Sequence, residues 1–124
     1  MAKILVVDDS GLARRTMRRI LEETGGHEVI EAEDGILALE KYFLEKPRIV
    51  FLDLNMNGMH GIDVLKKIKE IDSNANIVIA TADIQSSTRT MVEELGAAGF
   101  INKPYIRQQV GEVVNKILGK EAKR

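Results

Sequence analysis

The chain has 124 residues, which is enough for one hydrophobic core and too few for a catalytic domain joined to a separate substrate domain. Hydrophobic residues make up 44% and charged residues 30%, an ordinary globular composition, and the formal net charge of −1 gives no basic field for nucleic acid. The sequence contains no Cys, which excludes disulfides and thiolate metal sites. The first apolar run is too short for a signal peptide or a membrane span, so we expect a cytoplasmic protein without direct nucleic-acid or membrane binding.

Short apolar runs alternate with longer segments along the chain and predict five β-strands. The predicted strands cover residues 3–7, 27–32, 48–52, 76–80 and 98–102. Most of these runs are continuously apolar, as in strands that are covered on both faces of a parallel sheet. The run 27–32 contains acidic residues, which indicates a strand at the edge of the sheet.

The intervening segments predict five amphipathic helices, each with one apolar stripe for packing on the sheet. In chain order, the predicted stripes are Ala13, Met17, Ile20 and Leu21; Ile36, Leu39 and Phe43; Ile62, Leu65 and Ile68; Ile84, Met91, Val92 and Leu95; and Ile106, Val110, Val113, Val114 and Ile117. The predicted N-caps are Ser10, Asp34 and Asp83, and the glycines expected just past helix ends are Gly25, Gly96 and Gly119. This alternation predicts a (βα)5 α/β domain over residues 1–119, with a parallel sheet and a C-terminal tail at 120–124.

Reactive polar side chains follow four of the predicted strands. Asp8 and Asp9 follow the first strand, Asp53 the third, Thr81 the fourth and Lys103 the fifth. Ligands of open α/β sheets bind beyond the carboxyl ends of the strands, so we expect these side chains to converge.

Three carboxylates at one sheet edge repel each other unless a cation compensates them. Oxygen ligands without nearby His or Cys favour Mg2+ over zinc or copper. A carboxylate, a magnesium ion, the Thr81 hydroxyl and the Lys103 ammonium would together suit a phosphoryl group. Asp53 is the natural nucleophile of such a site, because carboxylates form aspartyl phosphates.

These residues resemble the receiver domain of two-component response regulators, most closely its single-domain chemotaxis type. The resemblance spans residues 3 to about 118 and rests on VVDDS, FLDLNMNGMHG, the Thr after IVIA, and FINKPY. It implies a flavodoxin-like, doubly wound sheet in the order 2-1-3-4-5. It also implies a phosphorylation-activated signalling switch, which takes a phosphoryl group from a sensor histidine kinase or a phosphotransfer domain.

The resemblance implies a role for each acidic-site residue. Asp53 would be the phosphoacceptor; Asp9, Asp53 and the backbone carbonyl of Asn55 would bind Mg2+ directly, and Asp8 would act mainly through a bound water. Asn55 and Asp83, two positions beyond the acceptor and two beyond Thr81, would also tune the lifetime of the phosphate. Relatives usually have Pro where this chain has Asn57, a departure that bears on the geometry of the Asn55 carbonyl.

The resemblance also implies the switch residues. Thr81 and Lys103 would each contact a phosphoryl oxygen, and Phe100 would be the aromatic that turns inward when Thr81 moves. The bond between Lys103 and Pro104 would be cis. A downstream protein would then read the surface formed by the fourth helix, fifth strand and fifth helix.

The same residues fit other functions less well. A Mg2+-dependent aspartyl-phosphate phosphohydrolase usually has an acid two positions beyond the nucleophile, where this chain has Asn55, and a cap domain that 124 residues cannot supply. The acids of DDSGLARR would repel the phosphate of FMN and argue against an FMN carrier. The intact set of polar site residues argues against a degenerate receiver that only binds partners. Residues 53–58 match the start of a calcium-binding EF-hand loop, but Val64 stands where that loop needs Glu.

Two further groups of residues allow more than one interpretation. Arg14, Arg15, Arg18 and Arg19 on the first helix predict either a solvated basic face or a docking surface for a phosphodonor protein. His27 and His60 lack a partner His at ligand spacing, so we expect both to be exposed without a metal role.

Overall fold

The computed structural model describes residues 2–56, 60–82 and 85–122, with side chains to residue 119. Within these ranges, five strands and five helices alternate. The elements are β1 (Lys3–Val7), α1 (Gly11–Gly25), β2 (Glu28–Ala32), α2 (Gly35–Glu45), β3 (Ile49–Leu52), α3 (Gly61–Ile71), β4 (Ile77–Thr81), α4 (Ser86–Glu94), β5 (Gly99–Asn102) and α5 (Arg107–Ala122). The predicted strand bounds agree with the observed ones to within one residue.

The strands form one parallel sheet in the order β2-β1-β3-β4-β5. This confirms the predicted doubly wound α/β fold and the edge position of β2. The chain leaves β1 toward β2 on one side and later returns to add β3 on the other. The switch point of the winding therefore lies between β1 and β3, where Val7 pairs with Leu52.

Each strand contributes side chains to both faces of the sheet, because successive residues of a strand point in opposite directions. In β1, Leu5 and Val7 pack beneath α2 and α3, whereas Ile4 and Val6 pack beneath α1 and α5. Both faces are therefore hydrophobic, which explains the continuous apolar runs in the sequence.

The buried face of α2 differs from the predicted one. Ile36 and Phe43 are 71% and 67% exposed, whereas Ala38 and Tyr42 face the sheet. Tyr42 is held inward because its hydroxyl donates a hydrogen bond to Asp72 at 2.9 Å. The predicted stripe was therefore wrong for Ile36 and Phe43, which lie outside, and confirmed for Leu39, which packs against the core as Ala38 and Tyr42 do.

The predicted stripes of the last two helices are correct only in part. Val92 of α4 and Val110 of α5 are buried, but Met91 is 44% and Ile106 is 54% exposed. Ile106 precedes the first residue of α5, so the periodicity of that helix does not include it. Ile84 lies outside the described residues.

Side chains cap the first two helices as predicted. The Ser10 hydroxyl accepts a hydrogen bond from the Ala13 N–H at 3.2 Å, and Asp34 accepts one from Leu37 at 2.8 Å. The third predicted cap, Asp83, lies outside the described residues, and Gln85 precedes the first residue of α4.

The predicted helix ends have different outcomes. Gly96 follows α4 with a φ of 98°, as expected for a residue that ends a helix. In α1, Gly25 is still helical, and Gly26 takes the left-handed conformation with a φ of 61°. Gly119 was predicted to end the last helix, but α5 continues through it to Ala122.

The two histidines have different environments. His60 is exposed, as predicted. His27 is only 8% exposed, and its Nδ1 accepts a hydrogen bond from the Ala2 N–H at 3.0 Å. The expectation of an exposed His27 was therefore wrong: the ring joins the start of β1 to the turn before β2.

Candidate functional site

Asp8 and Asp53 stand at the ends of neighbouring strands. The Asp53 N–H donates to the Val7 carbonyl at 3.0 Å, and the Asp8 N–H donates to the Ala32 carbonyl at 3.1 Å. These bonds continue the sheet ladder one residue beyond β3 and β1. Both aspartates are therefore positioned by sheet backbone and not by a free loop.

The three predicted metal-binding carboxylates come together. One carboxylate oxygen from each of Asp8, Asp9 and Asp53 lies within 4.8 Å of the others. Asp8 and Asp53 are 1% and 4% exposed, whereas Asp9 is exposed. The sheet thus gathers acids from two chain segments around one point, as the sequence predicted.

Lys103 reaches the same point from the end of β5. Its backbone N–H donates to the Thr81 carbonyl at 3.1 Å, and the bond to Pro104 is cis, as the resemblance implied. Its ammonium lies 2.6 Å from Asp8 and 3.7 Å from Asp53. One cation therefore bridges two buried carboxylates.

Asn55 joins two of the predicted site residues. Its backbone N–H donates to Asp53 Oδ1 at 3.3 Å, and its side-chain amide donates to the Thr81 hydroxyl at 3.3 Å. Thr81 is fully buried at the end of β4. Sequence reasoning gave Asn55 a carbonyl ligand role and missed the amide contact, which depends on how close the ends of β3 and β4 lie.

The carboxylates of the site carry more negative charge than Lys103 neutralises, which favours the binding of a further cation. Burial raises the pKa of Asp53 to about 6, and repulsion from Asp8 adds to this, whereas Lys103 acts in the opposite direction. Burial, together with the same acids, also raises the pKa of Tyr105, so its hydroxyl stays protonated. The single Lys103 ammonium thus does not fully compensate the carboxylates.

The donor set fits a hard divalent cation. Across residues 2–56, 60–82 and 85–122, Asp8, Asp9 and Asp53 form the group of acids that could share a metal ion, and each offers oxygen. Oxygen-only ligands suit Mg2+ or Ca2+. An EF-hand is excluded, because Val64, the twelfth loop position, is buried within α3.

Gly61 holds the start of α3 against the acceptor strand. Its N–H donates to the Leu54 carbonyl at 3.3 Å. A Cβ at Gly61 would lie 2.5 Å from the Asp53 carbonyl oxygen and 2.6 Å from the Leu54 Cα. Sequence reasoning missed this close approach. Asn57, which replaces the family's usual Pro, lies outside the described residues.

The arginines of α1 divide into two pairs. Arg14 and Arg18 bind the two carboxylate oxygens of Glu31 on β2, at 2.9 and 2.7 Å, whereas Arg15 and Arg19 are exposed. The interpretation as a solvated face was therefore wrong for Arg14 and Arg18, and the docking surface stays a prediction. Sequence reasoning did not single out Glu31, since nothing local indicates its partners.

Phe100 lies where a switch residue could sense Thr81. Ile79 pairs with Phe100, and Thr81 pairs with Asn102. The side chains of Thr81 and Phe100 therefore lie on the same face of the neighbouring strands β4 and β5. The Phe100 ring is half-buried, and the Arg89 guanidinium lies 5.4 Å from its centroid. Phe100 also lines a cleft of about 420 Å³ between α4, β5 and α5.

Known proteins are similar in sequence to almost the whole of this chain. The model of the response regulator receiver domain matches residues 4–115. The chain is 40% identical to chemotaxis protein CheY of Bacillus subtilis, covering 94% of this chain and 97% of that protein. It is 34% identical to sporulation initiation phosphotransferase F of the same organism, covering 94% and 93%.

Solved structures show the same fold. A two-component response regulator of the LuxR family from Aurantimonas superposes with a TM-score of 0.90 at 31% identity, covering 97% of this chain and 86% of the other. A receiver domain protein from Clostridium thermocellum gives a TM-score of 0.92 at 25% identity, covering 98% of both chains. The chain therefore belongs to the response regulator receiver domain family, whose members are phosphorylation-activated switches of two-component signalling.

Proposed function

We propose that Asp53 accepts a phosphoryl group from a phosphohistidine of a sensor histidine kinase or a phosphotransfer domain. The observation that carries this proposal is the convergence of Asp8, Asp9 and Asp53 within 4.8 Å, with Lys103 bonded to Asp8 beside them. Receiver domains of this family act with histidine kinases and with downstream targets. Which kinase and which target serve this chain is decided outside the site.

The proposed transfer is a displacement at phosphorus. A carboxylate oxygen of Asp53 forms a bond to phosphorus while the bond to the donor imidazole nitrogen breaks, and the electron pair of that bond stays on the nitrogen. The product is an aspartyl phosphate. In hydrolysis, a water oxygen bonds to phosphorus, the bond to Asp53 breaks, and inorganic phosphate leaves with the carboxylate restored.

Mg2+ is the proposed cofactor of both steps. Asp9, Asp53 and the Asn55 carbonyl would hold it directly, and Asp8 through a bound water. The bound ion supplies charge neutralisation to the phosphoryl oxygens. The Lys103 ammonium and the Thr81 hydroxyl stabilise the remaining charge by donating to phosphoryl oxygens.

Thr81 provides the proposed link to the output surface. Its hydroxyl accepts a hydrogen bond from the Asn55 amide, and a phosphoryl group on Asp53 would give the hydroxyl proton an acceptor in the site, which draws Thr81 toward it. Movement of Thr81 leaves space on the sheet face that Phe100 shares, so Phe100 turns inward. The surface of α4, β5 and α5 then changes its affinity for a downstream protein.

The described helices include none that is both long and apolar enough to cross a bilayer. Membership of the receiver domain family supports a cytoplasmic location for the proposed switch.

Acetyl phosphate and intact-mass measurement test the proposal. With Mg2+, the wild-type chain should gain the mass of one phosphate, and this gain should vanish without Mg2+ or in Asp53→Asn. Asp63→Asn is a matched control, because Asp63 is an exposed acid in the first turn of α3, outside the site. This control should gain phosphate like the wild type.

Two outcomes would contradict the proposal. Phosphate gain that persists in Asp53→Asn would place the acceptor elsewhere. Steady turnover of many small phosphate esters would instead support the aspartyl-phosphate phosphohydrolase.

A further inference from the structure

Arg14 contacts the segment between β1 and α1, which carries Asp8 and Asp9, but has no part in the proposed chemistry. Its Nη1 donates to the backbone carbonyl of Asp8 at 2.7 Å, and its Nε donates to Glu31 at 2.9 Å. The Arg14 side chain is 18% exposed. One guanidinium therefore joins the acidic segment to the edge strand β2.

Glu31 anchors this guanidinium firmly. Its second carboxylate oxygen accepts a hydrogen bond from Arg18 at 2.7 Å, and its backbone carbonyl accepts one from Lys41, also at 2.7 Å. Burial opposes ionisation of Glu31, but the hydrogen bonds from Arg18 and Arg14 outweigh it and lower its pKa. Glu31 is thus held as a carboxylate at neutral pH.

The carbonyl that Arg14 binds belongs to the peptide unit between Asp8 and Asp9. A peptide unit is planar, so fixing this carbonyl also fixes the N–H of Asp9 and the direction in which the chain leaves β1. The other side of Asp8 is fixed by its N–H bond to Ala32. The Asp9 Cα belongs to this planar unit, so the unit sets where the side chain of the exposed Asp9 leaves the backbone.

We propose that Arg14 is a positioning residue, which orients the peptide unit between Asp8 and Asp9 so that the Asp9 carboxylate faces Asp53. Glu31 acts through Arg14 by holding the guanidinium in place. This inference rests on the proposed function, because it concerns the cation site used by Asp53. Partners that orient metal ligands typically change metal affinity by about 10–100-fold when they are removed.

The sign of the effect separates positioning from simple electrostatics. Removing a positive charge near three carboxylates would by itself strengthen the binding of a cation. Loss of positioning weakens it. Arg14→Lys keeps the charge, but an ammonium lacks the fork that reaches Glu31 and the Asp8 carbonyl together.

The test measures Mg2+ affinity by isothermal titration calorimetry at about pH 8, where Asp53 is ionised. Arg14→Ala and Arg14→Lys should bind Mg2+ about tenfold more weakly than the wild type. Glu31→Gln should also bind Mg2+ more weakly. Melting temperatures verify that each variant is folded. A second readout uses no metal: the amide NMR shifts of Asp9 and Ser10 should change in the Arg14 variants.

The ion pair between Lys3 and Glu45 provides matched controls. It has an N–O distance of 3.1 Å, and Lys3 is the first residue of β1, at the end of the strand opposite the acids. Lys3→Ala and Glu45→Gln should lose a comparable contact with unchanged Mg2+ affinity and unchanged shifts of Asp9 and Ser10.

The inference is overturned if both Arg14 variants bind Mg2+ as tightly as the wild type or more tightly, or if Lys3→Ala weakens binding equally. Absence of Mg2+ binding in the wild type would instead contradict the proposed function. In that case the metal-free shifts decide the inference, since unchanged shifts of Asp9 and Ser10 overturn it.

Discussion

The ammonium nitrogen of Lys103 lies 2.6 Å from a carboxylate oxygen of Asp8, although 95 positions separate the two residues in the chain. The Asp8 side chain is almost completely buried, so a cation beside it offsets part of the cost of taking a carboxylate out of water. The contact joins the end of β5 to the end of β1. It therefore ties the last strand of the sheet to the first across the site.

Lys103→Ala should destabilise the protein, because it leaves the buried Asp8 carboxylate without its ammonium partner. We expect a loss of about 2 kcal/mol in the free energy of unfolding, measured by urea denaturation without Mg2+. Mg2+ should recover part of this loss by supplying another cation. Lys66→Ala, at an exposed position of α3, is the control and should change little. Equal stabilities of the two variants would contradict the importance of the contact.

Asp53→Asn should stabilise the protein at neutral pH. The pKa of Asp53 is raised from 3.8 to about 6, so the folded state binds this proton more tightly than the unfolded state does. Ionisation of Asp53 therefore lowers the free energy of unfolding by about 2–3 kcal/mol as pH rises from about 4 to above 6. The difference in unfolding free energy between Asp53→Asn and the wild type should grow over this range in metal-free urea titrations. A difference that is independent of pH would refute the raised pKa.

His27 should give the opposite pH dependence. Burial lowers its pKa from the ordinary value of 6.5, so the unfolded state binds the proton more tightly. The stability contributed by neutral His27 is present above 6.5 and is lost as pH falls below that value. Compared with His27→Gln, the wild type should lose additional unfolding free energy on acidification below that value. Parallel stability curves for the two proteins would show that His27 does not titrate differently on folding.

Mg2+ should raise the melting temperature of the wild-type chain. A ligand at about ten times its dissociation constant adds about 1.4 kcal/mol to the stability of the folded state. Differential scanning fluorimetry should show the shift with MgCl2 and its reversal by a chelator. NaCl at matched ionic strength is the control. Equal shifts with MgCl2 and NaCl would contradict specific Mg2+ binding and would be explained by ionic screening of the repulsion among the carboxylates.

Gly61→Ala and Gly111→Ala should change stability in opposite directions. The new Cβ at Gly61 would collide with the backbone of Asp53, which cannot easily move, and we expect a loss of about 1–3 kcal/mol. Gly111 lies within α5 with no described atom within 4 Å of such a Cβ, so alanine should add about 0.5–1 kcal/mol. Thermal and urea unfolding of the pair measure both effects. Equal losses at both sites would contradict the close approach of α3 to Asp53.

The fold was predictable from local patterns because the inner strands β1, β3 and β4 are covered on both sides. Continuous apolar runs such as Ile49–Leu52 define strands closely, and the polar residues after them define the carboxyl edge where Asp8 and Asp53 meet. Convergence then follows from parallel topology alone. The order of the strands came from the resemblance to known receiver domains.

Contacts between distant surface residues were not predictable. Nothing near Glu31 in the sequence indicates that it binds Arg14 and Arg18, since charged residues at such positions are usually solvated. The inward face of α2 was misjudged because hydrophobicity ranks Ile36 above Ala38, whereas packing against the sheet depends on size. These features depend on distances that only the assembled structure defines.

The position of β1 between β2 and β3 has a consequence for signalling. The acceptor carboxylate and its companions become neighbours only after strands from separate parts of the chain have been laid side by side. A chain still emerging from the ribosome, or one that has lost its sheet, offers a kinase no place to deposit phosphate. In the proposed switch, only completely folded chains can thus be phosphorylated, and unfolded copies transmit no signal.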